Sequence, residues 1–464
     1  MKKRFFLLAL MTSLCVQLVY SGKPNILFFL VDDLGWKDIS LSGSELYETP
    51  NIDQLSETGV SFTNAYVAYP RCVPSRYAFI TGKNPARSQI PGGGKLKLSE
   101  VTIAEALKEA GYTTYFAGKW HLGKNETHWP QNQGFDVNIG GCGAGAPLSY
   151  FFPYNVSRKK GDGKKIYGLD DGVQDEYLTE RLTKETIKFI EANKDTHFFA
   201  YVSHYAVHTP IEAKQEVVDK YAKKIEGMDF EGEPYSFGPD GRHKMHQDHP
   251  VYAAMVESMD ESLGQIIESL KKEGIYDNTI IILTSDHGGL SNSGIDSKRE
   301  LATSNLPLRA GKGHSYEGGL KVPAIVKWSG YTEAGTINES IITGMDYYPT
   351  ILEMAGLKLK PEEHVDGVSF VPALKGKTIN KKREFFWHSP AGRPASTGDN
   401  DCSTIRIGNY KLIDFYEMDK TELYNLANDP YEKNNLAEQN PKLTKKLKTK
   451  LNNWKTEISA VGHK

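Results

Sequence analysis

Two hydrophobic patterns alternate along the chain. Residues 25–31 are a continuous apolar run, Asn-Ile-Leu-Phe-Phe-Leu-Val, that stops at Asp32-Asp33. A short run with no polar alternation suits a strand covered on both faces. Residues 101–110 carry apolar side chains at helical spacing, Gly111 ends them, and 112–117 reads as a strand entering Gly118-Lys119-Trp120-His121. A helix over 177–192 precedes a strand over 197–203, after which come His204 and His208. A helix over 251–272 stops at Gly274, and 279–284 is a strand ending at Asp286-His287-Gly288-Gly289. This alternation predicts an α/β fold with a large, mostly parallel central sheet flanked by helices. Beyond a Lys-rich link at 378–383, short strands near 384–387 and 404–414 predict a smaller C-terminal antiparallel-sheet subdomain carrying a terminal helix. Leu443, Leu447, Leu451, Trp454 and Ile458 form one stripe of that helix, with lysines on its solvated face. The expected organisation is a main body over 22–380 and the smaller subdomain over 381–464.

Composition narrows the classes. The 464 residues are 39% hydrophobic, enough for a substantial core, and the formal charge of −2 argues against a general electrostatic grip on nucleic acid. Lys2-Lys3-Arg4, the apolar run from Phe5 to Leu10 and the small residues near Ser21 read as a signal peptide over residues 1–21, which places the mature chain in the periplasm or outside the cell. Cys15 as a lipidated residue is the weaker reading, because Leu14 precedes it. No later stretch reaches the roughly 18 apolar residues of a membrane span, so no stable membrane insertion is expected. Four cysteines without a C-x-x-C pair give neither a disulfide scaffold nor a structural zinc site. Cys142 and Cys402 either pair or remain buried free thiols. Gly92-Gly93-Gly94 lacks the following Lys-Ser or Lys-Thr of a phosphate loop and reads as a flexible turn.

The reactive residues fall together. Asp32 and Asp33, Lys119 and His121, His208, and Asp286 and His287 each follow the carboxyl end of a predicted strand, the edge where open α/β sheets bind ligands. The carboxylates of Asp32, Asp33 and Asp286 repel one another unless a cation sits among them, and hard oxygen ligands favour Ca²⁺ or Mg²⁺.

Cys72-Val73-Pro74-Ser75-Arg76, followed by Thr81-Gly82, resembles the maturation signal of the formylglycine-dependent type I sulfatases, within the alkaline phosphatase superfamily. The resemblance runs from Asp32-Asp33 to Leu423-Tyr424-Asn425-Leu426 and Asp429-Pro430. It implies that a formylglycine-generating or sulfatase-maturating enzyme oxidises Cys72 to an aldehyde. One hydroxyl of the hydrate then attacks sulfur, and the other loses a proton so that sulfate leaves and the aldehyde returns. It also implies Ca²⁺ held by Asp32, Asp33, the modified Cys72, Asp286 and the residue after it. Family members often carry Asn there. Here it is His287, which leaves Mn²⁺ or Zn²⁺ less excluded, or which donates a hydrogen bond to sulfate instead.

Sulfuryl transfer needs positive charge around the sulfate oxygens and an acid for the leaving group. Arg76, Lys119, His121, His208 and Lys312 supply that chemistry. Gly118 to Gly123, Val207-His208-Thr209-Pro210 and the segment from Leu308 to Gly313 resemble the family's lysine–histidine, second histidine and late lysine segments. By this likeness His208, helped by Lys312, protonates the leaving oxygen. Trp120 and His204 read as packed residues. Arg71, Arg309, His314, His388 and Arg393 are candidate substrate contacts, and the Gly-rich, aromatic stretch over 140–152 either lines a sugar cleft or packs over the sheet edge. The expected protein is an exported sulfatase acting on a sulfated saccharide or polysaccharide. The alternatives are a phosphonate monoester or phosphodiester hydrolase of the same superfamily, or a non-catalytic binder of sulfated glycans.

Overall fold

The structure is a computed structural model that describes residues 22–88, 96–157, 165–379 and 381–461. Residues 1–21, read above as a signal peptide and containing Cys15, and Gly92-Gly93-Gly94 lie outside the described residues. The main sheet contains β1 (Asn25–Val31), β2 (Val60–Phe62), β3 (Thr113–Gly118), β4 (Val137–Ile139), β5 (Phe198–Ser203), β6 (Thr279–Ser285), β7 (Ala324–Lys327) and β8 (Thr336–Asn338). Their order across the sheet is β8-β2-β7-β6-β1-β5-β3-β4. Only β7 runs against its neighbours, pairing antiparallel with both β6 and β2.

The apolar run of β1 is explained by its place at the centre. Phe28 lies opposite both Tyr201 and Ile282, and every residue of β1 is buried. Ile26, Phe28 and Leu30 enter one core, with side chains of the helices Cys72–Thr81, Ile103–Glu109 and Tyr347–Met354. Leu27, Phe29 and Val31 enter the opposite core, with the helices Pro50–Thr58, Leu178–Asn193 and Pro250–Lys272. A strand buried on both faces has no polar side of its own. Its chemistry therefore begins where it ends, at Asp32.

Four further strands, β9 (Glu384–Ser389), β10 (Cys402–Ile407), β11 (Tyr410–Phe415) and β12 (Lys420–Asn425), form the antiparallel C-terminal sheet in sequence order. Its alternating residues serve two surfaces. Ile405, Leu412 and Leu423 pack with Leu447 and Leu451 of the terminal helix Pro441–Glu457, where Trp454 stacks on Phe386 with centroids 4.6 Å apart. Cys402, Ile413, Phe415 and Tyr424 face Ala310 and Tyr316 of the main body. Trp387 donates to the Val67 carbonyl at 2.7 Å.

Among the described residues no helix is long and apolar enough to cross a membrane. Cys142 and Cys402 are free and buried. Leu451 is fully buried under the C-terminal sheet. Leu451→Ala is expected to lower the unfolding free energy by about 2–5 kcal/mol, measured by urea titration. An unmoved midpoint would show that the helix does not depend on this contact.

Candidate active site

Five adjacent strands, β4, β3, β5, β1 and β6, run parallel, so their carboxyl ends share one edge. The loops there are stitched together by backbone. The Asp32 N–H donates to Ala206 O, Val207 N–H to Asp32 O, and Asp286 N–H to Val31 O, at 2.8–3.0 Å. Close approach requires glycine at two places. A Cβ on Gly118 would lie 1.9 Å from the Ser203 carbonyl oxygen, and one on Gly288 1.9 Å from the Gly318 oxygen. The first brings Lys119 in, and the second brings the Lys312 segment against His287. Asp33 and His121 themselves adopt left-handed backbone, φ 60° each, a conformation uncommon outside glycine and enriched at functional sites.

Cys72 opens the helix Cys72–Thr81, so the positive end of the helix dipole points at its thiol. Its Sγ lies 3.2 Å from His287 Nε2. Burial alone would push this thiol up; Lys119, Lys312 and His287 outweigh burial and hold it well below the ordinary thiol value.

Arg76, one turn further on, ties the centre together. Its Nε donates to Asp286 at 3.0 Å, Nη1 donates to the Lys119 carbonyl at 2.7 Å and to Ser203 Oγ at 2.6 Å, and Nη2 lies 3.5 Å from Asp32. Lys119 Nζ is paired with Asp32, and Lys312 Nζ donates to both oxygens of Asp33 at 2.6 and 2.7 Å. The two neighbouring acids differ accordingly. Burial and the charge of Asp286 raise the Asp32 carboxyl well above the usual range, whereas for Asp33 burial is overcome by Lys312, His208 and His287.

His287 Nε2 sits 3.2 Å from Asp33 Oδ1 and 3.5 Å from Asp286 Oδ1. Its Nδ1 lies 3.1 Å from the Gly288 carbonyl, which can only accept, so Nε2 carries the lone pair of the neutral ring. Burial would lower its pKa, but Asp286, Cys72 and Asp33 raise it. Donor atoms of Asp32, Asp33, Cys72 and His287 lie within 4.8 Å of one another, all buried. Asp32 Oδ1 is buried with no hydrogen-bond partner among the described residues. A carboxylate oxygen that accepts no hydrogen bond, beside an imidazole lone pair, fits a divalent cation.

His208 is partly buried, its Nε2 3.9 Å from Asp33 and its Nδ1 2.6 Å from Thr209 O. Burial first, then the Lys312 charge, hold its pKa well below the ordinary histidine value. Tyr150 fixes this segment: its hydroxyl lies 2.6 Å from Tyr205 O and 2.8 Å from His208 O. Tyr150 and Ser203 are supporting residues that the sequence reading missed. The aromatic loop was a signal for the first; nothing local marked the second. Tyr150 is buried and the neighbouring Gly145 packs on the His121 ring, so this part of the loop packs over the sheet edge.

The five substrate candidates separate. Arg71 is buried and paired with Asp399, and His314 Nε2 is 2.9 Å from Thr397 O. Arg309 covers the Tyr316 ring and donates to Tyr424 and the Glu432 carbonyl, and His388 is held by Ser403 and Val461 O. These four bond to protein; Arg393 stays exposed with no side-chain partner among the described residues. Trp120 and His204 are packed as expected, Trp120 donating to His128 O at 2.8 Å and His204 lying 3.0 Å from Ser262 Oγ with its pKa near 3 through burial.

This edge, with cations paired to clustered acids around a buried nucleophilic position, belongs to the class of α/β hydrolytic enzymes that act on anionic esters. The Sulfatase family matches residues 24–357, and the family described as N-sulphoglucosamine sulphohydrolase, C-terminal, matches 311–457. A sulfatase of Formosa agariphila is 31% identical, covering 93% of this chain and 88% of its own. The mouse N-acetylgalactosamine-6-sulfatase is 30% identical over 84% of this chain and 71% of its own. The crystal structure of Ps i-CgsB with k-i-k-neocarrahexaose superposes with a TM-score of 0.76 at 30% identity, covering 93% of each chain. The chain belongs to the sulfatase family and is a sulfuric ester hydrolase.

Removing Arg76 leaves Asp32 and Asp286 buried with one counter-charge fewer. In chelator-treated protein, Arg76→Met is expected to cost about 3–5 kcal/mol of stability, read as a fall in the urea midpoint. An unchanged midpoint would refute the structural part of its role.

Proposed function

We propose that this enzyme is an exported sulfatase that removes sulfate from a sulfated carbohydrate, using a formylglycine made from Cys72 and a bound Ca²⁺. The observation that carries the reading is the position of Cys72: inside its Cys-Val-Pro-Ser-Arg motif, at a helix N-terminus, buried among Lys119, Lys312 and His287. The Cys72 sulfur stands where the oxygens of an aldehyde hydrate would lie. An unmodified thiol would form a sulfated sulfur with no internal route for expelling sulfate, whereas a hydrate keeps a second hydroxyl for that step.

Asp32, Asp33, residue 72, Asp286 and His287 would hold the cation, which when bound supplies positive charge to the reacting sulfate and steadies the nucleophile. Calcium is preferred because carboxylate oxygens dominate the set; His287 is the ligand that leaves room for Mn²⁺ or Zn²⁺. Lys119 and Lys312 each retain N–H donors beyond those used on Asp32 and Asp33, and these face the sulfate oxygens. His121 orients the hydrate of residue 72. His208 gives its proton to the leaving alcohol oxygen through Nε2, since Nδ1 is committed to Thr209. Burial and the Lys312 charge lower its pKa, and the negative charge of an arriving sulfate favours the protonated ring.

A saccharide substrate is supported by the named relatives, one acting on N-acetylgalactosamine 6-sulfate by its name and one crystallised with a neocarrahexaose. Periplasmic or extracellular placement rests on the leader-like residues 1–21. Co-expression with a sulfatase-maturating enzyme is expected to give a Cys72 peptide lighter by the exchange of a thiol and a hydrogen for a carbonyl oxygen. Cys72→Ala is expected to lose about 10³-fold or more of sulfate release from 4-nitrophenyl sulfate and sulfated saccharides. Full activity with an intact thiol at position 72 would overturn the mechanism, and dominant turnover of aryl phosphonate would overturn the substrate class.

A further inference from the structure

The loop over 390–401 joins β9 to β10 and returns against the active site. Its base is held from two directions. Asp399 accepts from Arg71 at 2.7 Å, and Arg71 immediately precedes Cys72. The Thr397 carbonyl accepts from Asn292 Nδ2 at 2.6 Å and lies 2.9 Å from His314 Nε2. A Cβ on Gly313, next to Lys312, would lie 2.5 Å from Asp399 Oδ1 and 3.0 Å from Thr397 Oγ1. The loop is therefore packed against the neighbours of both the nucleophile and the late lysine.

Arg393 sits on the rim of this anchored loop. Its N–H donates to Asp399 Oδ2 at 3.3 Å, and its carbonyl accepts from the N–H groups of Ser396, Thr397 and Gly398 at 2.9, 2.9 and 3.2 Å. The backbone of residue 393 is thus fixed while Arg393, Pro394 and Ala395 are exposed. The nearby acids are already occupied: Asp399 by Arg71 and the Thr397 hydroxyl, Asp401 by the Gly392 N–H. The guanidinium makes no hydrogen bond or ion pair among the described residues, and the Asp399 that fixes its backbone is the partner of Arg71, next to Cys72. An exposed guanidinium on a fixed backbone, with Asp399 hydrogen-bonded to the Arg71 side chain and to no side-chain atom of Arg393, is free to meet an anion from outside with both arms of its fork.

We propose that Arg393 is a specificity-determining residue that binds a second anionic group of the substrate, a sulfate or a uronic carboxylate on the same or an adjacent sugar. The inference rests on the reading that the substrate is a sulfated carbohydrate. It narrows that class to saccharides carrying at least two anions, one reacting at residue 72 and one held at the rim.

The test uses the full chain, matured in cells, with calorimetric binding and competition against 4-nitrophenyl sulfate hydrolysis as parallel readouts. The probes are κ-neocarrabiose, with one sulfate, ι-neocarrabiose, with two, and chondroitin 6-sulfate disaccharide, with a sulfate and a uronate. At least one two-anion probe is expected to bind about tenfold or more tighter than the one-sulfate probe, as a charged hydrogen-bonded contact would give. In Arg393→Ala that ratio should fall to about threefold or less, with Arg393→Lys intermediate because it keeps charge without the fork. Which of the two-anion probes loses affinity distinguishes sulfate from carboxylate. The proposal is overturned if the wild-type ratio is near one, or if Arg393→Ala leaves it unchanged. A chain that releases no sulfate and keeps its thiol instead defeats the underlying reading, an outcome separate from either of these.

Discussion

Three carboxylates buried together at the ends of β1 and β6 are the constraint around which the site is built. Asp32, Asp33 and Asp286 cannot share a dry space as anions without counter-charges, and the chain provides Arg76, Lys119 and Lys312, one buried cation for each acid. The cations come from a helix, from the end of β3 and from a loop far along the sequence, so neutralising the acids also brings these distant segments together at the candidate site. Three against three leaves no formal excess. A divalent ion added to this balance makes the pocket positive, which suits a site that must attract a sulfate ester.

The C-terminal sheet bears on the same constraint. Lys411, fully buried in β11, is paired at 2.9 Å with Glu317 and with Glu432, and Arg406 of β10 meets the Tyr66 hydroxyl. Glu317 follows Lys312 by five residues, and Tyr66 belongs to the strand that precedes the Cys72 helix. Burial raises the Glu432 carboxyl to about 7, with the like charge of Glu317 opposing Lys411. This network joins the sheet to the two segments that deliver Lys312 and Cys72. The smaller sheet therefore acts as a brace for these two segments, and the loop bearing Arg393 extends from that brace.

Much of the fold was legible because its central strands and long helices carry strong patterns. The structure places strands at Thr113–Gly118, Phe198–Ser203 and Thr279–Ser285 and helices at Leu178–Asn193 and Pro250–Lys272, each within two residues of the periodicity. The short strands Val60–Phe62, Ala324–Lys327 and Thr336–Asn338 at one side of the sheet escaped, because three or four residues cannot display a period. The clustering of the polar residues was legible for a similar reason: parallel strands bring their carboxyl ends to one edge whatever lies between them. The partner of each charged side chain was not. Arg71 meets Asp399, 328 residues away, and Arg309 meets Tyr424, 115 residues away. Nothing local distinguishes such an arginine from one that waits for substrate.

That difference gives the arginines their order. Arg76 and Arg71 are buried with carboxylate partners, Arg309 spans the joint to the C-terminal sheet, and Arg393 alone among these keeps its guanidinium unengaged. A buried cation must be paired within the protein, whereas an exposed one need not be, so exposure alone would say little. The weight lies in the loop beneath it. Asp399 binds the side chain of Arg71 and only the backbone of Arg393, holding one arginine by its charge and the other by its main chain. The same carboxylate thus secures the turn before Cys72 and leaves the guanidinium of Arg393 without a partner among the described residues.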